Sequence, residues 1–364
     1  MQSHFFYHQK EGERRYNNMK NKNKKMLTLG ITLLLTTMLL SVTVAQAQES
    51  TEKPIIVCTT SAVGSVVEAY LGDTADVLVL VQPGLCPADF DMKPGYVDAV
   101  SKATILFKQN IQGEFWLDNL LEAAGNENLT QVAIPGAYNT PQGAKNYINW
   151  VGGNLSQILD IDLDSQISEM LNEVDEVSSW MSNQAETLQA SNVKVICMKW
   201  LQTFIESAGF TVVATFNPPE TLSAGDITTL LQTAQTEGVA LVADNLQIDV
   251  EFGGGIASEV GAEHLVLTNF PGAIPNTETL PKMLRYNAEQ LFNSTVTWQS
   301  ASTLQAEKEA LANQVATLQQ SVSNLEAETS ELQNQVTLFQ ISTSLAVVVV
   351  AVLAVLLYAR AKRK

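Results

Sequence analysis

Residues 81–94 read VQPGLCPADFDMKP. They follow the apolar run VLVLV at 77–81, which has the composition of a buried strand. Pro83, Gly84, Pro87 and Pro94 then forbid regular structure. The loop so formed carries Cys86, Asp89 and Asp91. Loops leaving the ends of buried parallel strands are where α/β proteins place ligands.

Outward from this loop the chain alternates strand and helix. Upstream lie a strand at 55–57, a polar turn at 59–61 and a helix at 63–71 closed by Gly72. Downstream come a helix at 95–103, a strand at 105–107, a helix at 114–124 and a strand at 131–134. Residues 141–164, rich in Gly and Asn, read as a polar connection. At 165–188 the apolar residues Ile167, Met170, Leu171, Val174, Val177, Trp180, Met181 and Leu188 recur at helical spacing. A second series follows, with strands at 193–197, 211–215, 239–243 and 265–267. Its helices are at 200–208, 224–236, 253–260 and 280–297. The predicted fold is α/β: two lobes with parallel sheets, joined by one long rigid helix.

Beyond the lobes, Leu304, Leu311, Leu318, Leu325, Leu332 and Phe339 are spaced by seven, with Val315, Val322 and Val336 in the second apolar position. This heptad pattern predicts a coiled coil, roughly 50 Å long, and a parallel homodimer. Residues 341–358 carry no charge and precede Arg360, Lys362, Arg363 and Lys364. That is a transmembrane helix with a cytoplasmic tail. At the other end, lysines 20, 22, 24 and 25 precede an apolar run ending in Ala45-Gln46-Ala47. This pattern is a secretory signal peptide, with Met19 as the expected start.

The expected divisions are 1–47 (leader), 48–150 (first lobe), 151–190 (linker), 191–299 (second lobe), 300–339 (stalk), 340–359 (span) and 360–364 (tail). The exported part keeps 10 of 21 Lys+Arg and 36 of 38 Asp+Glu. So acidic a surface excludes nucleic acid as a partner. One histidine, His264, is left after the leader, so a Ser-His-Asp set would have to use it, and Gly253-Gly254-Gly255 lacks the Lys-Ser/Thr of a phosphate loop. The chain does not read as an enzyme.

Several segments resemble the solute receptors of zinc and manganese ABC importers, the ZnuA/TroA-like family. They are VCTTSAVGSVVEAYLGD at 57–73, VQPGLCPADFDMKPGYVDAVSKATILF at 81–107, EFWLDNLL at 114–121 and VICMKWLQTFIESAGF at 195–210. The resemblance implies a metal cleft between two lobes and delivery to a membrane permease with a cytoplasmic ATPase. It also implies three histidines and a carboxylate as ligands. Here those positions fall at Ala88, near Ile148 (two residues before Trp150), at Met198 and near Thr268. None is a usual zinc ligand.

Substitutes remain open. Cys58, Cys86, Cys197 and Met198 could hold a soft ion such as Cu(I), or zinc. The same cysteines could be small buried apolar residues, or Cys86 and Cys197 a disulfide. Asp89, Asp91, Asp244 and Asp249 could form an oxygen site for a hard cation such as manganese. Trp150, Trp200, Phe90 and Tyr96 could hold an organic ligand or metal chelate. The reading is therefore a membrane-tethered, extracytoplasmic receptor of an ABC importer, most simply for a metal ion. Its alternative is a degenerate receptor that binds an organic ligand or serves adhesion or assembly.

Overall fold

Eight short strands, β1 (Ile55–Cys58), β2 (Asp76–Val79), β3 (Ile105–Lys108), β4 (Thr130–Ala133), β5 (Lys194–Met198), β6 (Thr211–Phe216), β7 (Leu241–Asn245) and β8 (Glu263–Leu267), form two parallel sheets among the described residues. The computed structural model describes residues 12, 14–16, 18–26 and 53–362. The sheets are ordered β2-β1-β3-β4 and β6-β5-β7-β8. The same strand order thus occurs twice, as the two-lobe reading expects.

Each sheet is covered on both faces, which is why its strands read as continuous apolar runs. In β1, Ile56 joins one core and Val57 the other, as period-two side chains must. The larger core runs from Ile56 and Phe107 through Leu155 and Val174 to Val195 and Leu284. It therefore spans both sheets without a break.

The helices of the first lobe are α1 (Ser61–Leu71), α2 (Pro94–Lys102) and α3 (Leu117–Ala124). Next come α4 (Pro141–Leu159) and α5 (Asp164–Thr187). Helix α4 corrects the sequence reading, which made 141–164 a polar connection. Thr140 caps its start by accepting from Gly143 N (3.0 Å), and Pro141 follows at the first helical position. Ala144, Tyr147, Ile148, Val151 and Leu155 form its buried stripe. Gly152 is needed for packing: a Cβ there would lie 2.6 Å from Ile167 Cδ1 on α5. Close helix contact, not flexibility, explains the glycine.

The second lobe adds α6 (Gln202–Ser207), α7 (Ala224–Glu237), α8 (Phe252–Val260) and α9 (Leu280–Ala361). Helix α9 is one element of 82 residues, where the sequence reading ended a lobe helix at 297 and began a stalk. After Pro281 it contains neither Pro nor Gly, so nothing interrupts it. Its first turns pack on α5: Trp180 meets Phe292 edge-on at 5.5 Å and takes the Arg285 guanidinium on its face. Gln299 Nε2 donates to Leu188 O (3.1 Å). From residue 300 onward every described residue is exposed.

Residues 14–16 and 18–26 are helical and are set apart as a separate unit from the chain starting at Ile55. The apolar run and cleavage motif of the leader lie outside the described residues, as do Arg363 and Lys364.

Candidate functional site

All eight strands are parallel within their sheets, so their carboxyl ends and the loops that follow gather at one edge of each sheet. Between the two edges lies a cavity of about 620 Å³. One wall comes from the first lobe: Cys86 to Ala88, Gln109 to Ile111 and Gly136 to Asn139. The other comes from the second: Trp200, Asn245, Gln247, Asn269 and Phe270.

The 81–94 loop is held at its root and its middle. Leu80 N donates to Cys58 O (2.9 Å) and Val81 N to Thr59 O (3.1 Å). Residues Pro87–Asp89 make a single 3₁₀ turn, and Trp116 Nε1 donates to Pro87 O (2.8 Å). Phe90 stacks on Trp116 at 3.8 Å and on Tyr96 at 5.5 Å. These aromatics fasten the loop to the first lobe and do not line the cavity. Trp150 also stays out, with its Nε1 donating to Ala133 O (3.3 Å). Of the four aromatics read as an organic-ligand set, Trp200 alone reaches the cleft.

Hydrogen bonds cross between the lobes at the cleft. Gln247 Nε2 donates to Pro83 O (2.9 Å) and Tyr138 Oη to Asn269 O (2.7 Å). Ser61 Oγ donates to Pro271 O (2.7 Å) and Asn139 Nδ2 to Trp200 O (3.1 Å).

The cysteine set is not assembled. Cys58 and Cys197 are fully buried in β1 and β5, and all three cysteines are free thiols, which corrects the Cys86–Cys197 disulfide alternative. Burial pushes the Cys197 thiol up to about 12 and raises Cys58 and Cys86. Buried thiols of this kind behave as small apolar residues. Met198 is buried too, and its Sδ accepts from Trp200 N (3.5 Å).

The carboxylate set is likewise dispersed. Asp89 and Asp91 are exposed. Asp249 Oδ1 accepts from Glu251 N (2.7 Å) and Phe252 N (2.8 Å) at the start of α8. Asp244 does not line the cleft; it accepts from Gly253 N (2.8 and 3.0 Å) and pairs with His264 Nε2 (2.9 Å). A Cβ on Gly253 would sit 2.8 Å from the Asp244 carboxylate, so the glycine run serves this cap and not a phosphate. Among the described residues, no three His, Cys, Asp or Glu side chains are grouped to hold a metal ion.

Of the positions that the resemblance aligns with ligands, Ala88 lines the cleft. Ile148 is wholly buried in the core. Thr268 lies just behind the wall, its Oγ1 accepting from Gln247 Nε2 (2.8 Å).

What does line the cleft is amide. Gln109, Asn110, Asn139, Asn245, Gln247 and Asn269 all contribute, and among the described residues no charged side chain does. Sequence reasoning passed over them. A signal was present: QN follows β3, NLQ ends and follows β7, and NF comes just after β8. Each falls where a buried parallel strand delivers its loop.

The family described as "Zinc-uptake complex component A periplasmic" matches residues 56–294. No curated protein matches the chain. Among solved structures, a crystal structure of ZnuA aligns with TM-score 0.57 at 19% identity, over 67% of this chain and 100% of its own. The periplasmic zinc-binding protein TroA of Treponema pallidum aligns with TM-score 0.59 at 14% identity, over 67% and 99%. FpvC of P. aeruginosa, solved with Ni²⁺, gives TM-score 0.57 at 10% identity, over 68% and 98%. At these identities the likeness is one of fold.

Proposed function

This chain belongs to the zinc-uptake component A family of periplasmic solute-binding proteins, and we propose that it is the membrane-tethered receptor of an ABC importer. The observation that carries this reading is the cleft. It lies between two lobes of the same strand order, at the carboxyl ends of both sheets. A solute captured there would be presented to a permease coupled to a cytoplasmic ATPase. No step calls for catalysis.

The rest of α9 fits a tether. Its apolar stretch at 341–358 is long enough to cross a bilayer and is fully exposed on this chain. The basic residues after it would stay in the cytoplasm, with the lobes outside. The signal-peptide pattern agrees with that orientation. Between lobes and span, the heptad leucines leave an apolar seam that no described residue buries. Leu304, Leu311, Leu318 and Leu325 are each about 60% exposed. A second copy of the same helix, in parallel register, is the partner that a heptad seam buries best.

The test uses the full chain in its own membrane. Cross-linking followed by purification should recover a polytopic permease and its ATPase. Protease added to intact cells should remove the lobes while a tag placed after Lys364 survives. Recovery of nothing but further copies of the chain would refute the transport role and favour adhesion or assembly.

A further inference from the structure

Among the described residues, one buried side-chain nitrogen or oxygen lacks a hydrogen-bond partner: Nδ2 of Asn245. The residue is 1% exposed, ends β7 and lines the cleft. Its orientation is dictated by its neighbour, because Oδ1 accepts from Gln247 N (2.9 Å). Turning the amide over would set an NH₂ group against that N–H. The orphan is therefore a donor, and it asks for an acceptor.

Gln109, on the opposite wall, is arranged in the same sense. Its Oε1 takes the hydroxyls of Thr60 and Tyr147, so its NH₂ is the end left for a solute. The zinc, manganese and nickel sites of proteins are built chiefly from imidazole, carboxylate and thiolate, and amide oxygens alone offer no charge to such an ion. The cavity offers the amide donors of Asn245 and Gln109 instead, with one thiol at Cys86 and, among the described residues, no charged side chain to offset a cation. At about 620 Å³ it also has the size of a small-molecule pocket. Trp200, also in the lining, is half exposed and is the one tryptophan there among the described residues.

We propose that the cleft takes an uncharged organic solute, not a bare metal ion. The solute presents a hydrogen-bond acceptor to Asn245 Nδ2 and an apolar or planar face to Trp200. This rests on the reading of the chain as a cleft-binding receptor, and it names the class of cargo.

The test is calorimetric titration of the full chain in detergent. The probes are uncharged nucleosides, monosaccharides and cyclic dipeptides, with Zn(II), Mn(II) and Ni(II) as separate arms. At least one organic probe should bind. Asn245→Asp keeps the acceptor for Gln247 N and replaces the orphan donor with a carboxylate. It should weaken that probe by roughly tenfold to a hundredfold. Trp200→Ala, at a half-exposed position, should weaken it as well. It keeps the test decisive if Asn245→Asp perturbs folding. An organic probe whose affinity neither variant changes overturns the inference. So does an ion that binds where no organic probe does, though the receptor reading then stands. If neither ions nor organic probes bind, both readings fall.

Discussion

Replacing Gln247 by Met would cut the tie between the organising loop and the second lobe without changing the size of the side chain. Gln247 is 8% exposed and spends its whole amide. Nε2 donates to Pro83 O (2.9 Å) and Thr268 Oγ1 (2.8 Å), and Oε1 accepts from Asn269 N (3.1 Å). The Met variant loses all three. Thr268 Oγ1 keeps its contacts with Phe270 N and O (both 3.1 Å), so it is not stranded. Pro83 O loses its donor and Asn269 N its acceptor. At about 1 kcal/mol per net hydrogen bond, the loss comes to about 2–3 kcal/mol. For a globular part of this size that is a fall of about 5–10 °C in Tm. Near-ultraviolet circular dichroism of the full chain in detergent would measure it. Hydrogen exchange should quicken at the amides of Leu85 and Asp89, which the loop's turns protect. A Tm within about 2 °C of the wild type, with unchanged exchange at 81–94, would refute the claim that Gln247 fastens the lobes.

Gly253→Ala should cost about 2–4 kcal/mol. It drives a methyl against the Asp244 carboxylate and breaks its charge-assisted bonds to the α8 start, and urea unfolding would read the change. Gly152→Val should destabilise by about 1–3 kcal/mol through overpacking against Ile167, measured the same way. Light scattering of the full chain should report a dimer for the wild type, and Leu318→Glu, which puts a charge in the heptad seam, should shift it to a monomer. The Cys197 thiol is raised by burial from 9.0 to about 12, so its neutral form is favoured by folding. That stability is complete below about pH 9 and drains away as the pH rises toward 12. Cys197→Ala should flatten this alkaline loss, measured as Tm against pH.

The lobes were legible because parallel strands covered on both faces leave continuous apolar runs, and these runs punctuate the chain. Helix α4 was hidden, since Gly152, Gly153 and three asparagines look like a loop when counted by composition. Their neighbours Ala144, Ile148, Val151 and Leu155 carry the helical period all the same. The cleft was hidden for another reason. Titratable residues attract notice as candidate ligands, yet Asp244 and Asp249 are spent on the start of α8, and Cys58 and Cys197 on the sheets. Amides carry no such signal. Asn245 differs from its neighbour Asp244 by one step along β7, and that step turns one side chain into a helix cap and the other into a cavity wall.

The positions that the resemblance aligns with metal ligands are held by packing and hydrogen bonds of their own. Ile148 and Met198 lie in the continuous core, where each is at most 1% exposed. Thr268 has joined the hydrogen bonds behind Gln247. The cleft edge is thereby held by backbone and amide contacts that need no ion to neutralise them. A histidine restored at 148 would have to bury an imidazole among Tyr70, Ala144 and Val151, so restoring the family's ligands one at a time would cost stability before it gained a metal.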